Sequence, residues 1–302
     1  QLVVPRNDSL LYARGFGMAD KERGIRMEPN MLMRFASVSK LITAVGIMKL
    51  QEMKKLKLNE KVFGEKGILR DTVYNNSIKD KRYYDITVEQ LLRHQAGFNN
   101  YAGDPVSSTR YIMMQNHLKT PPDHPTLLKI LLKRHLGYTP GEGKCYSNLG
   151  YMILSMIIEK KSGMKYENFM QKYVLHPAGC YDMHIAGTYL KDRRPNETKY
   201  YMHGGSIPVY EYNNSGRLVE KCYGDTDLPR LSGAGAWCGS TAELSRFIAS
   251  IDGLPHVKDI LSKKSIEFMT REQADHQYSI GWNYTPKSNK PWIRTGSLAG
   301  TS

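Results

Sequence analysis

Apolar residues recur at helical spacing directly after Ser37. Leu41, Ile42, Val45 and Met48 share one face of a helix, and no proline interrupts the chain before Leu58. The pattern predicts a helix that begins at or near Ser37, although Gly46 lowers helix propensity in its middle. Because a helix N-terminus presents unsatisfied N–H groups and the positive end of the dipole, this start would favour negative charge developing at Ser37.

The other elements follow in the order strands, helices, strands. Residues 2–17 predict a β-hairpin, interrupted at residues 5–9. Apolar periodicity predicts helices at residues 87–94, 148–162, 241–251 and 260–270, and strands at 278–284 and 292–298. Residues 99–125, which are rich in Asn, Ser, Pro and Asp, predict a long surface excursion, and residues 185–230 an irregular or weakly β segment.

This order of elements predicts an α+β fold, in which an antiparallel sheet is flanked by helices beside a mainly helical second region. A chain of 302 residues suffices for one substantial core. We therefore expect a single domain over residues 1–302, with the sheet region at about 1–36 and 241–302 and the helical region at about 60–240.

Composition and charge limit the class of partner. Hydrophobic residues make up 40% and charged residues 24%, as in ordinary globular proteins, and no apolar run approaches the roughly 20 residues of a membrane-spanning helix. The net charge of +14 fits association with an anionic cell envelope. Aromatic and basic residues do not interleave as in single-strand binders, so no nucleic-acid partner is predicted, and a basic adhesin remains the weakest alternative.

The cysteines are widely spaced and lack the short paired spacing of a zinc or redox motif. Cys145, Cys180, Cys222 and Cys238 therefore predict neither a metal site nor a cofactor. Free thiols and up to two disulfides both remain open.

Ser37 and Lys40 form a pair with catalytic chemistry. A serine hydroxyl is a weak nucleophile until a base lies within hydrogen-bond reach, and residues three apart on a helix share a face. Ser162 and Lys165 have the same spacing, but Ser162 ends a helix and Gly163 disfavours continuation. Spacing alone therefore leaves a helix-capping role for Ser37 open.

Two downstream motifs strengthen the assignment of Ser37. Tyr146-Ser147-Asn148 stands directly before a predicted helix, and Arg294-Thr295-Gly296-Ser297 lies in a predicted strand. A Ser-x-x-Lys, a Ser-Asp-Asn and a Lys-Thr-Gly in this order mark β-lactamases and penicillin-binding proteins, and close counterparts of all three occur here.

With these motifs, the sequence resembles the class C β-lactamase and D-alanyl-D-alanine peptidase group, which uses Tyr-x-Asn as its second motif and also includes esterases and D-amino-acid peptidases. The resemblance covers nearly the whole chain, with its main matches at residues 15–20, 91–97, 140–141, 146–151 and 296–302. It implies a β-lactamase/penicillin-binding-protein-like fold. It also implies a helix before Leu2 and further strands and a helix after the third motif, so we expect residues beyond this sequence to complete the sheet.

The resemblance further implies roles for individual residues. Ser37 would be the nucleophile, Lys40 its proton partner, Tyr146 the general base and Asn148 a substrate-amide contact. The backbone N–H groups of Ser37 and Ser297 would form an oxyanion hole. His94 would support a loop, and no acidic residue of the kind that activates water in class A β-lactamases is evident, which favours the tyrosine-based mechanism.

The third motif departs from the family pattern. Arg294 stands where Lys or His is usual, ahead of Thr295 and Gly296 in the substrate-binding segment. A guanidinium keeps the positive charge but does not deprotonate, so Arg294 predicts recognition of a carboxylate in the substrate.

The predicted function is a serine hydrolase that forms an acyl-enzyme with a β-lactam, a D-amino-acid or peptidoglycan peptide, or a small ester. The resemblance implies a periplasmic or secreted protein of the bacterial cell envelope. A non-hydrolytic penicillin-binding or sensor module on the same fold is the alternative, and the oligomeric state stays open.

Overall fold

The computed structural model describes residues 1–6, 9–101, 103–271, 279–285 and 291–301. Its helices are α1 (Ser39–Glu52), α2 (Thr72–Asn75), α3 (Val88–Leu92), α4 (Thr109–Gln115), α5 (His124–Leu131), α6 (Asn148–Ser162), α7 (Tyr166–Met170), α8 (Ser232–Gly235), α9 (Thr241–Ala249) and α10 (Lys263–Thr270). Its strands are β1 (Leu2–Arg6), β2 (Ser9–Arg14), β3 (Met18–Asp20), β4 (Ile25–Arg26), β5 (Met33–Arg34), β6 (His184–Ile185), β7 (Pro208–Tyr210), β8 (Leu218–Glu220) and β9 (Trp237–Gly239).

Helices α1 and α6 form the centre of the core. Both are buried on nearly every face, as expected of helices that are apolar all round. They pack against each other and against α8. A buried polar cluster fixes this arrangement, because the Thr43 hydroxyl on α1 donates to the Gly233 carbonyl at 2.7 Å and lies 2.6 Å from the Tyr166 hydroxyl.

Gly46 in the middle of α1 has a packing reason. A Cβ atom at this position would stand 2.5 Å from the Met170 sulfur. The glycine therefore weakens the isolated helix but lets α7 approach α1 closely.

The strands form small antiparallel sheets. β1 and β2 make the predicted hairpin, β3 pairs with β4, β7 pairs with β8, and β9 lies between β5 and β6. Among the described residues the hairpin pairs only with itself, and it exposes 58% of Leu10 and 60% of Leu11. The α+β architecture is confirmed.

Local sequence signals located several elements well. α6 spans the predicted residues 148–162, and Thr87 caps α3 through its hydroxyl together with Gln90. The helices predicted at 241–251 and 260–270 are α9 and α10, with ends that differ by up to three residues.

Two predictions about elements were wrong. Residues 99–125 are not only a surface excursion, because Ile112 and Met113 bury one face of α4 there. In the described parts of 278–284 and 292–298 no strand forms, and Tyr284–Ile293 and Leu298–Thr301 are isolated bridges. The alternating side chains of that segment find no continuous neighbouring ladder, which a strand requires. Tyr278 lies outside the described residues.

In the part of the chain that the structure describes, none of the helices combines the length and the apolar character required to cross a bilayer.

Helix α6 depends on its N-cap, because the buried Ser147 hydroxyl accepts from the Gly150 N–H at 3.1 Å. We expect Ser147→Ala to lower the free energy of unfolding by about 1 kcal/mol, the usual loss for a removed serine cap. Chemical denaturation measures the change. Ser206→Ala at an exposed position is the control, and an equal effect of both variants would contradict the capping role.

Candidate active site

Ser37 lies on a strained turn at the entrance to α1. A 3-10 turn of residues Ala36–Val38 leads directly into the helix. Ala36 has φ of 49°, in the left-handed region that residues other than glycine rarely adopt, and its side chain is buried. Such strain costs on the order of 1–3 kcal/mol and persists only where the surroundings enforce it, as they commonly do at functional sites.

The Lys40 amine is the centre of the site. The side chain is fully buried, and Nζ lies 3.2 Å from Ser37 Oγ, 2.6 Å from Asn148 Oδ1 and 2.6 Å from the Ala234 carbonyl oxygen. These partners come from the start of α1, the start of α6 and α8. The three elements that build the core therefore also bring Ser37, Lys40 and Asn148 together.

Asp104 is a site residue that the sequence patterns did not predict. Its carboxylate accepts a hydrogen bond from Asn148 Nδ2 and another, at 2.9 Å, from the Val106 N–H. The contact fixes the orientation of the Asn148 amide, because a carboxylate accepts from the NH₂ end and leaves Oδ1 to face Lys40. Asp104 lies in the polar 99–125 segment, where neither periodicity nor a motif singled it out.

The environment of Lys40 favours its neutral form. Burial and then the positive charge of Arg294 place the pKa of Lys40 well below its ordinary value, and the Asp104 carboxylate opposes this shift. Asn148 Oδ1 and the Ala234 carbonyl can only accept hydrogen bonds, so a neutral amine gives them its two hydrogens. Its lone pair then faces the Ser37 hydroxyl, which is the geometry of a base beside its nucleophile.

Arg294 connects the third motif to the other two. Its Nε donates to the Ser37 carbonyl oxygen at 2.8 Å, its Nη2 donates to the same oxygen, and Nη2 lies 3.3 Å from the Tyr146 hydroxyl. Two of its nitrogens are thus engaged within the protein. The third nitrogen, Nη1, would be the main donor to a substrate carboxylate. Carboxylate recognition by Arg294 stays a prediction.

Tyr146 and His94 form a stacked pair beside Lys40. Lys40 Nζ lies 4.7 Å from the centre of the Tyr146 ring, and the rings of Tyr146 and His94 are 4.6 Å apart. His94 Nδ1 accepts from the Ser147 N–H at 3.1 Å, which holds the turn that precedes α6. Burial lowers the pKa of His94 well below its ordinary value, and the ring is neutral because its Nδ1 accepts this hydrogen bond. These contacts agree with the loop-supporting role expected for His94.

Gly296 brings the third motif against Ser37. A Cβ atom here would lie 2.5 Å from the Phe35 carbonyl oxygen and 2.8 Å from the Ser37 nitrogen. Thr295 is exposed, and its N–H donates to Asn283 Oδ1 at 3.1 Å. Ser297 is exposed as well, and its part in an oxyanion hole stays a prediction.

The wall of a cleft of about 390 Å³ contains Leu149 and Gly103. These two residues are the chain neighbours of the site residues Asn148 and Asp104. The wall is mainly aromatic and aliphatic, and it includes Tyr83, Phe98, Tyr101, Tyr111, Leu131 and Leu149. Such a wall suits an apolar group.

The cysteines carry free thiols. Cys180, Cys222 and Cys238 are buried, and Cys145 is half-buried beside Tyr146. Of the two possibilities left open by the sequence, the structure therefore has the thiols and not the disulfides.

The chain matches the family model described as Beta-lactamase over residues 1–302. It therefore belongs to the β-lactamase family of serine hydrolases, as the motifs indicated.

Two relatives from Bacillus subtilis share less than 30% of their aligned residues with this chain. Penicillin-binding protein 4* of Bacillus subtilis (strain 168) is 28% identical over 321 residues, which cover 100% of this chain and 63% of that protein. The putative penicillin-binding protein PbpX of the same strain is 26% identical, with 95% of this chain and 62% of that protein covered. The chain thus spans less than two thirds of the length of these relatives.

Solved structures show the same fold. FmtA from Staphylococcus aureus superposes with a TM-score of 0.69 at 19% identity, covering 99% of this chain and 73% of that one. The D-amino acid amidase from Ochrobactrum anthropi SV3, in complex with L-phenylalanine amide, gives 0.66 at 20% identity, covering 94% and 75%.

The close approach at Gly296 makes a testable prediction. In Gly296→Ala, the new methyl group meets the backbone at Phe35 and Ser37, so the segment around Arg294 must move away from the site. We expect any ester hydrolysis by the chain to fall at least roughly 100-fold, because displacements of about 1 Å have effects of this size. Initial rates with a nitrophenyl ester measure it.

Gly150→Ala is the matched control, since its methyl group would make only ordinary contact at 3.5 Å with the Leu91 carbonyl oxygen. Full activity in Gly296→Ala would show that the third motif does not need this close approach.

Proposed function

We propose that this chain hydrolyses an amide or ester through an acyl group carried on Ser37. The observation that carries the proposal is the position of Lys40 Nζ, which lies 3.2 Å from Ser37 Oγ and 2.6 Å from each of two obligatory acceptors, Asn148 Oδ1 and the Ala234 carbonyl oxygen. A neutral amine that gives its two hydrogens to these acceptors directs its lone pair at the Ser37 hydroxyl. Membership of a serine hydrolase family supports the same chemistry.

In the first step, Ser37 Oγ attacks the substrate carbonyl carbon and its proton passes to the Lys40 amine. The bond from the carbonyl carbon to the leaving nitrogen or oxygen then breaks, and the leaving group takes a proton from the network of Lys40 and Tyr146. In the second step, water attacks the acyl carbon and gives up a proton to the same network, the bond from that carbon to Ser37 Oγ breaks, and Oγ takes the proton back as the acid product leaves. Lys40 Nζ lies 4.7 Å from the Tyr146 ring centre, and Arg294 contacts both Tyr146 and the Ser37 carbonyl, so Lys40 and Tyr146 lie together beside Ser37 and are the groups that we assign to these proton transfers.

The proposed substrates carry an apolar group. The cleft with the mainly aromatic and aliphatic wall, which includes the chain neighbours of Asn148 and Asp104, supports this choice. Asn148 uses one Nδ2 hydrogen on Asp104, and its second hydrogen is the candidate contact with a substrate amide. The names of the relatives add penicillins and D-amino-acid amides as compounds to test. We also propose a cell-envelope location, which only the family resemblance of the sequence implies.

Ser37→Ala tests the nucleophile. We expect loss of covalent labelling by a fluorescent penicillin or an activated ester, with a nearly unchanged melting temperature, because a half-buried hydroxyl contributes little to the core. Intact-mass spectrometry and ester turnover are the measurements.

Ser162→Ala is the control, since this serine also precedes a lysine by three residues but ends α6. Labelling that survives Ser37→Ala would exclude Ser37 as the acceptor. Labelling of wild type without turnover would favour the binding or sensor alternative.

The charges around Lys40 make a prediction about pH. Only the neutral amine accepts the serine proton, so kcat/KM falls as pH drops through the Lys40 pKa. Asp104→Asn removes an anion that raises this pKa, so the acidic limb of the profile should move to lower pH. Arg294→Gln removes a cation that lowers it, so the limb should move to higher pH.

Profiles of kcat/KM against pH measure both shifts, and exposed Glu65→Gln is the control. Shifts of the two variants in the same direction would exclude neutral Lys40 as the base.

A further inference from the structure

A second cluster of chemically reactive side chains lies within the β5–β9–β6 sheet region. It consists of His184, Glu197 and Cys238, all of them at most 5% exposed. Their ligand atoms lie within 4.8 Å of one another. His184 on β6 and Cys238 on β9 are direct partners in the antiparallel register, so the sheet itself holds an imidazole and a thiol side by side.

The contact of His184 Nδ1 with the backbone of Asp182 sets the tautomer of the imidazole. Nδ1 lies 2.9 Å from the carbonyl oxygen of Asp182, which can only accept, so a neutral ring has its hydrogen on Nδ1. The lone pair of Nε2 then faces the Glu197 carboxylate, whose Oε2 is 4.0 Å away. Two acceptors that face each other in a buried place require a cation between them or a proton on the imidazole.

Glu197 is oriented as metal-binding carboxylates are. Its Oε1 accepts from the Tyr200 hydroxyl at 2.8 Å, and its Oε2 accepts from the Arg194 N–H at 3.2 Å. A histidine that donates its second N–H to a carbonyl and a carboxylate held by further hydrogen bonds are the supports that metal ligands usually have.

We propose that His184 Nε2, Glu197 and the Cys238 thiolate form a binding site for a divalent transition-metal ion, with Zn²⁺ as the best match. Nitrogen, sulfur and carboxylate oxygen are the ligands that zinc takes. Zinc bond lengths place neighbouring ligand atoms roughly 3.3–3.7 Å apart, so the side chains must close by about 1 Å.

The charges suit this ion. A thiolate and a carboxylate together neutralise a divalent cation, so the loaded cluster adds no net charge to the core. The nearby guanidinium of Arg34 lies 4.2 Å from the centre of the Tyr200 ring and donates to the carbonyl oxygens of Cys222 and Gly187. The Tyr200 hydroxyl lies 4.0 Å from Cys238 Sγ, and it accepts from the Arg34 N–H at 2.9 Å while it donates to Glu197.

The cluster makes no hydrogen bond to Ser37 or Lys40 among the described residues, so metal binding stands apart from the proposed hydrolysis and is measured separately. The spacing of the cysteines predicted no metal site. The cluster contains a single cysteine, and its three ligands come from segments that are separated in the sequence, so no short motif marks it.

The test compares the wild type with Cys238→Ser, Glu197→Gln and Cys180→Ser. Cys180 is also a buried free thiol, but it contacts the Glu243 carbonyl outside the cluster, so its replacement is the matched control. Each protein is treated with chelator, loaded with ZnCl₂ or CoCl₂ and desalted. Metal content is then measured by mass spectrometry, and thiolate ligation by the charge-transfer absorption of the cobalt form.

We expect wild type and Cys180→Ser to retain stoichiometric zinc and to show the cobalt–thiolate band. Cys238→Ser should lose the band, and both cluster variants should bind zinc at least roughly 10-fold more weakly. Glu197→Gln keeps the thiol, so it tests the site even where Cys238→Ser does not fold. Absence of bound metal in wild type, or equal retention in all four proteins, would overturn the proposal and leave a protonated His184 paired with Glu197.

Discussion

A buried lysine amine imposes the strongest constraint on this structure. Lys40 lies inside the core with no exposed surface, and such a group is tolerated only where it meets hydrogen-bond acceptors or gives up its charge. Two acceptors come from helices other than its own, since Asn148 begins α6 and Ala234 lies in α8. The helix packing that forms the core therefore also places the residues of the site.

The burial of the Lys40 amine also explains the roles of the residues that surround its direct partners. Asn148 serves Lys40 only while its amide points the right way, and Asp104 fixes that orientation. His94 holds the turn that carries Tyr146, and its neutral ring adds no charge beside the amine. Arg294 and Asp104 act on the Lys40 pKa in opposite directions, so the protonation of the amine depends on two groups from different segments.

Features that depend on neighbouring residues could be predicted from the sequence. Thr87 as the cap of α3, α6 between residues 148 and 162, and the Ser37–Lys40 pair all follow from short spacings. Asp104 could not be found this way, because its role arises from contact with Asn148, 44 residues away. The Ala234 carbonyl is invisible for a similar reason, since a backbone acceptor has no side-chain signature. Trp292 to Leu298 alternates like a strand, yet strand formation requires a partner that the alternation does not specify.

The protonation of Lys40 tests the account most directly. A pH titration of ¹⁵N-labelled lysine side chains by NMR, with the Lys40 signal assigned by its loss in Lys40→Gln, reports the pKa of each amine in the folded protein. The account predicts that Lys40 titrates well below the exposed lysines and that its signal moves further down in Asp104→Asn. A Lys40 signal that titrates together with the exposed lysines would mean a charged ammonium beside Ser37, and the proposed base would be wrong.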